Sequence, residues 1–408
     1  MLSNKENFII LILILYISSR PPFIVVNIAI VLLFIYLLKI HVKYKIDFFD
    51  KFTLAILLLF PIINLFYFII FNELEVFLTI RMFLILIMSN WVVKLMRYKF
   101  LSTFENILYF LAVISLIFYP LQIIAHDLIL EFLTDFSDLI PLNEKGEEMK
   151  SILIWGMDYD AGIRNSGFAW EPKAFANFLI IGIIVRLTQN KLNLRDRRII
   201  VYSLALITTF STTGYLILFG ILPFFILWNK SPEKFFKYFI PVTLIFLYTL
   251  QFDFMWKKIK TEWEGRYEYE KLLSDSRSFA KRSLGRTPSM MVDLIDFSKQ
   301  PILGYGLNRN QRTQSFYTKL VRVNGLTDWI ATFGALGIIL FVFGHYYGFK
   351  KYLAYNNLSG ASILLIIISV IYFATTLTSH LFWTTLMFLF TVTEKIKKEK
   401  VQKVYASN

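Results

Sequence analysis

Apolar segments of about 15–25 residues recur along the whole chain, separated by short polar gaps. A helix rises about 1.5 Å per residue, so segments of that length match the roughly 30 Å of hydrocarbon in a bilayer. The pattern predicts helices over 6–19, 23–40, 52–71, 76–95, 104–129, 172–188, 198–212, 213–229, 236–252, 326–348, 359–377 and 380–394. The pairs 6–19/23–40 and 198–212/213–229 are short and also fit tilted or re-entrant hairpins. The expected fold class is all-α: a polytopic integral membrane protein of about 12 transmembrane helices, with a large outer loop between helices 9 and 10. By this reading residues 1–252 carry the first nine helices and an acidic outer segment at 130–171. The large loop occupies 253–325, and 326–408 holds the last three helices and a basic tail.

The gaps set the orientation. Alternate gaps are rich in Lys and Arg: Lys39 to Lys51, Lys94 to Lys99, Arg195 to Arg198, Lys230 to Lys237, Lys350 with Lys351, and the tail from Lys395. The intervening turn Asn72-Glu73-Leu74-Glu75 has only acids. Basic residues collect on the cytoplasmic side, so both termini are expected there. The formal charge of +14 then follows from topology, and no nucleic-acid partner is needed to explain it. Apolar residues make up 56% of the chain and mean hydropathy is +0.57, well beyond a soluble domain. The absence of cysteine excludes disulfides and thiolate chemistry. Lys5 followed by Phe8–Ile17 has the shape of a signal core. However, Ser18-Ser19-Arg20-Pro21-Pro22 lacks a small-x-small site, so no cleavable signal peptide is expected.

The two long outer segments hold the candidate chemistry. The acidic one ends in Arg164-Asn-Ser-Gly-Phe-Ala-Trp-Glu171-Pro172. Pro172 suits the first turn of a helix, which puts Glu171 at a helix N-terminus, where the dipole stabilises a carboxylate. The basic loop holds fourteen Lys and Arg between Phe252 and Leu326. Within it, Arg277, Arg282 and Arg286 fall inside ten residues. Thr287 reads as an N-cap and Pro288 as the first helical residue. Met290, Met291, Leu294 and Phe297 then follow at helical spacing, as expected of an amphipathic helix lying on the membrane or on other helices. A guanidinium beside a helix start makes an anion site, and its planar fork bonds two phosphate oxygens at once. Gly304 and Gly306 read as a tight turn. Asp328 lies at the start of the next membrane helix, either as a cap or facing a polar cavity. Arg81 lies about a turn and a half inside its helix, where an arginine is costly and is functional by default.

This order of features resembles the Wzy-type O-antigen polymerase and O-antigen ligase superfamily. The shared features are R-x-x-G-F-x-x-E-P opening a helix and a hydroxyl-rich membrane hairpin. They continue with a large outer loop bearing an Arg ahead of Pro301-Ile-Leu-Gly-Tyr-Gly306, and a G-x-L-G helix at Gly334–Gly337. The resemblance implies a bacterial inner-membrane glycosyltransferase of GT-C-like character. It would join oligosaccharide units carried on undecaprenyl pyrophosphate at the periplasmic face, with inversion at the anomeric carbon and without a metal or other cofactor. Its partners would be that lipid-linked glycan as donor and acceptor, membrane lipids, a chain-length regulator and a flippase. Carried over residue by residue, the resemblance makes Arg286, Arg164 and Glu171 catalytic, with Arg282 and Arg277 binding substrate; Asp328 and Arg81 join the substrate-binding candidates on their positions in the sequence alone. Two departures are present. The large loop has no His, which favours polymerase over ligase, and the hairpin reads Ser211-Thr212-Thr213-Gly214 where many members carry an Arg. A flippase of lipid-linked oligosaccharide is the alternative from another class. A flippase needs alternating access between two halves and gains nothing obvious from one large outer loop.

Overall fold

A computed structural model describes residues 2–19, 23–138, 149–151, 154–158, 163–230, 241, 244, 253–264, 282–283, 285–313, 320–375, 377 and 380–392. In chain order the helices are α1 (Asn4–Ser18), α2 (Phe23–Tyr44), α3 (Lys51–Phe71), α4 (Val76–Met96), α5 (Lys99–Ile124), α6 (His126–Asp138) and α7 (Pro172–Gln189). They continue as α8 (Arg197–Thr208), α9 (Thr212–Lys230), α10 (Asp253–Glu264), α11 (Arg286–Lys299), α12 (Gly325–Tyr355), α13 (Ala361–Ala374) and α14 (Leu381–Thr391). Two small ladders accompany them, β1 (Met149–Ser151) with β2 (Gly156–Asp158), antiparallel, and β3 (Arg282–Ser283) with β4 (Leu320–Val321), parallel. The protein is an all-α membrane protein: six of the described helices are long and apolar enough to cross a bilayer, and α13 and α14 are shorter apolar helices.

Several expected boundaries move. The helix expected over 104–129 is instead α5, which starts at Lys99 and ends at Ile124, before α6 begins at His126. Residues 326–348 extend to Tyr355. Of the helix expected over 236–252 only Pro241 and Leu244 are described, both helical. Helix α7 is apolar on nearly every side and is buried from Ala174 to Val185, so it forms the centre of the bundle. Around it pack Phe104, Phe382 and Trp383, with Phe178 ring centroids 5.2 Å from Phe382 and 5.4 Å from Trp383.

Among the described residues, the basic gaps at 39–51, 94–99, 190–198 and 350–355 come together at one end. Lys94 Nζ lies 3.1 Å from Asp50, joining two of them. Tyr98 packs on Tyr355 at 4.9 Å, and Tyr352 meets the Thr188 hydroxyl at 2.8 Å. The acidic turn 72–75 sits with the large loop at a common end: Glu73 accepts from Asn310 (3.0 Å) and Gln311 (2.9 Å), and the Glu75 N–H donates to Asn308 Oδ1 (3.3 Å).

Helix α12 is broken at Gly334, whose φ of 59° and ψ of −152° leave the helical region. A break inside a dry bundle strands backbone groups that cost several kcal/mol each. The segment 301–306 fills the gap. Tyr305 and Gly306 N–H groups donate to the carbonyls of Ala331 (3.1 Å) and Thr332 (2.8 Å). Beyond the break, Ala335 and Leu336 donate to Pro301 (2.8 Å) and Ile302 (3.4 Å). The backbones approach so closely that a Cβ at Gly304, itself at φ +69°, would lie 2.5 Å from the Thr332 oxygen. The tight turn read in the sequence is therefore a splice into a broken helix.

Gly304→Ala should accordingly lower the melting temperature of the detergent-purified protein. The left-handed backbone alone costs a residue with a Cβ roughly 1–2 kcal/mol, and the clash adds to it. Ile339→Ala, at a site 61% exposed on the apolar outside of α12, is the control and should shift it little. An unchanged melting curve for Gly304→Ala would remove the splice from the stability argument.

Candidate functional site

The end of the bundle that bears the acidic turn also carries Arg164, Glu171, Arg286 and Asp328. The Arg164 segment is fixed from below by its own backbone and by Asn165. Asn165 donates from its N–H to the Thr208 carbonyl (3.0 Å) and from Nδ2 to the hydroxyls of Thr208 (2.9 Å) and Ser115 (3.3 Å). Its Oδ1 accepts from the Gly167 N–H at 2.9 Å. Gly167 leaves room for the Phe175 ring, which lies 2.6 Å from where a Cβ would be. Arg164 Nε donates to the Thr209 carbonyl at 3.1 Å, and its own carbonyl accepts from Gln122 at 3.2 Å.

Pro172 is the first residue of α7 and Glu171 its N-cap, as the sequence predicts. The Glu171 side chain does not cap the helix; it pairs with Lys173 Nζ at 3.3 Å and stays 28% exposed. Trp170 beside it stacks on His380, centroids 5.2 Å apart. Asn177, on the same helix, holds the Thr375 hydroxyl at 3.0 Å.

Helix α11 begins at Arg286, after Gly285, rather than at Pro288 after Thr287. Its cap comes from another segment. Glu262 of α10 accepts from the N–H groups of Arg286 (2.9 Å) and Thr287 (3.2 Å), and from Arg286 Nη1 at 3.0 Å. Arg286 Nε also donates to the Ala374 carbonyl at 3.3 Å, one residue before Thr375. Arg286 thus reaches Ala374, while Trp170 and Asn177, on either side of Glu171, meet His380 and Thr375. A carboxylate occupies the spot where a helix N-terminus and a guanidinium converge.

The most deeply buried face of α11 is largely polar, and the apolar stripe lies beside it, half-buried at Met290, Met291 and Phe297. Ser289, Val292, Asp293 and Asp296 are buried, while Leu294 of the apolar stripe is 42% exposed. The inward acids belong to a cluster. Arg312, 3% exposed, bonds Asp328 (2.6 Å), Asp293 (2.8 Å) and Asp296 (3.4 Å). Arg322 lies 2.8 Å from Asp296 and 3.2 Å from Asp293, and Thr327 donates to Asp293 at 2.7 Å. Asp328 is therefore the partner of a buried arginine. Three carboxylates against two guanidiniums leave one negative charge in excess. Burial, and then the neighbouring Asp328 charge, push Asp293 up to about 7.

The sequence reading missed Arg312 and the Asp293/Asp296 pair. Their signal was the i, i+3 spacing of two acids, Asp293 and Asp296, which places them on one face of the helix with Val292 and Ser289. The other expected residues lie apart. Arg81 is half-buried on α4. Arg282 pairs its backbone with Leu320 in the parallel ladder, and Arg277 lies outside the described residues. Among the described residues no group of His, Asp and Glu side chains is placed to share a metal ion. No protein-family model matches this sequence, and neither does any curated protein.

Removing one partner from a buried ion cluster leaves charge unpaired. Arg312→Ala should therefore destabilise the protein by about 3–5 kcal/mol, read as a lowered melting temperature in detergent. A wild-type melting temperature for that variant would show the cluster to be dispensable. The raised Asp293 group also sets a pH dependence. Its folded-state value lies above the unfolded one of about 4, so the folded form binds the extra proton between them. Its contribution is full below about pH 4 and is lost as pH rises through about 7. Asp293→Asn should flatten the pH dependence of the melting temperature across that window; an unaltered slope would assign it to other groups.

Proposed function

We propose that the protein is an O-antigen-type polysaccharide polymerase, an inverting glycosyltransferase acting on undecaprenyl-pyrophosphate-linked oligosaccharides. In this reading the chain crosses the bacterial inner membrane about 12 times with both termini cytoplasmic, and the large loop faces the periplasm. Membrane lipids, a chain-length regulator and a flippase are its expected neighbours. The observation that carries the proposal is the anion held by Arg286 and the start of α11. Glu262 occupies that site with three hydrogen bonds. The pyrophosphate of a lipid-linked donor has the charge to take its place.

The acceptor hydroxyl oxygen bonds to the anomeric carbon as the bond from that carbon to the pyrophosphate oxygen breaks. The electron pair leaves with the pyrophosphate. Fixed guanidiniums at Arg286 and Arg164 stabilise that charge better than water, which must reorganise. Glu171 takes the acceptor proton; it is half-buried at a helix start with only Lys173 as its ion-pair partner among the described contacts. Arg282, Arg277 and Arg81 are assigned to substrate binding. Asp328 acts there by holding Arg312, and through it the loop and α11.

Arg286→Ala should abolish polymer in a deletion strain at matched membrane levels, with a loss of roughly 100- to 1000-fold in rate. Arg286→Lys should be impaired as well, since an ammonium cannot reproduce a bidentate contact. Lys299→Ala, at the far exposed end of α11, should be mild. The readout is the surface-glycan ladder on a gel. Wild-type chain length from Arg286→Ala would leave that arginine as a capping partner of Glu262 and nothing more.

A further inference from the structure

The largest cavity among those described lies far from Arg286. It is a groove of about 940 Å³ between α1 and α5, which run side by side from a common end. Its lining changes character along its length. Where both helices begin it is polar, with Asn4, Asn7, Lys99, Ser102, Thr103 and Asn106. The shaft beyond is apolar, walled by Phe8 and Ile12 on one side and Phe110 and Leu111 on the other. It closes against Ser19, Ile154 and Phe168. From Asn4 to Ser19 a helix rises about 22 Å, more than the roughly 15 Å of hydrocarbon in one leaflet.

The polar end has the hydrogen-bonding capacity and the charge of a headgroup site. Lys99 is exposed there and supplies the charge; Asn106 Oδ1 accepts at 2.6 Å from Arg198 Nη1, whose own charge is paired with Glu105 at 2.7 Å. Asn7 is buried, and its Oδ1 has no hydrogen-bond partner among the described residues. A cationic, amide-rich pocket opening into an apolar shaft matches an anionic headgroup with a hydrocarbon chain.

We propose that this groove binds one anionic glycerophospholipid, its phosphate at the Lys99 end and an acyl chain along the shaft toward Phe168. The polyprenyl carrier is a poor match. Its pyrophosphate must reach the end that holds Arg286 and Glu171. Among the described residues the groove is lined at that end by Ser19, Ile154 and Phe168, without a cation. The lipid therefore belongs to the opposite leaflet, which the Lys/Arg distribution makes the cytoplasmic one. Phe168 follows Gly167 in the segment that carries Arg164, so a chain in the shaft supports that segment from beneath. The preference over the polyprenyl carrier rests on the glycosyl-transfer reading, whereas the headgroup site at the Lys99 end does not.

The test uses the full-length protein, purified in detergent and stripped of lipid. It is titrated with dioleoyl phosphatidylglycerol, and bound molecules are counted by native mass spectrometry. Dioleoyl phosphatidylcholine and undecaprenyl phosphate serve as competitors. One phosphatidylglycerol should be retained in preference to both. Lys99→Glu should weaken retention at least about fivefold, the effect of roughly one basic residue near a lipid headgroup. Ile12→Trp, which fills the shaft, should displace the lipid whatever its headgroup. If that variant folds poorly, the exposed Lys99 substitution decides alone. Retention unchanged by Lys99→Glu, no preference over phosphatidylcholine, or displacement by undecaprenyl phosphate would each overturn the proposal.

Discussion

Backbone polar groups inside a membrane bundle cannot fall back on water. The break in α12 at Gly334 is therefore tolerated only because 301–306 completes its hydrogen bonds. Much of the outer end depends on that exchange. With 301–306 seated in the break, 308–311 reach the turn between α3 and α4, and Tyr67 donates its hydroxyl to the Leu303 carbonyl at 2.5 Å. The same seating brings Arg312 into contact with Asp328, which lies on the segment of α12 ahead of the break.

The charge cluster then fastens α11 to that segment. Five ionisable side chains buried together are a poor source of net stability, because their desolvation opposes their attraction. What they supply here is geometry. An apolar face on α11 could slide against α12; a face of Asp293 and Asp296 bonded to two arginines has one register. Burial and the neighbouring Asp328 charge raise the Asp293 carboxyl, which is the direction that moderates the excess negative charge.

The sequence was most legible where a single physical requirement acts locally. Apolar length gave the long helices, and Pro172 gave the start of α7 to the residue. The clustering of Lys and Arg in alternate gaps matches their convergence at one end of the bundle. It was least legible where partners are distant in the chain. Thr287 and Pro288 are a sound local signal for a helix start, yet Glu262, twenty-four residues before Arg286, supplies the cap and moves the start upstream. The stripe Met290, Met291, Leu294 and Phe297 left open whether the helix lies on the membrane or on other helices. The buried contacts of α11 come from paired charges, and periodicity carries no record of pairing.

The first turn and the middle of α11 bear on one question, which is how a guanidinium at the surface of a membrane protein becomes fixed. Arg286 stands at the first turn, with its backbone N–H and its Nη1 both on Glu262. Asp293 and Asp296 hold the middle of the helix through two arginines that are nearly out of solvent. A helix pinned in this way cannot roll, so the position of its first residue is set by buried contacts two to three turns away. Preorganised charge is effective because it need not reorganise as an anion arrives. The buried cluster and the half-buried Arg286 are thus two parts of a single arrangement. The part that touches an anion was visible in the sequence, whereas the part that holds it still emerged from the fold.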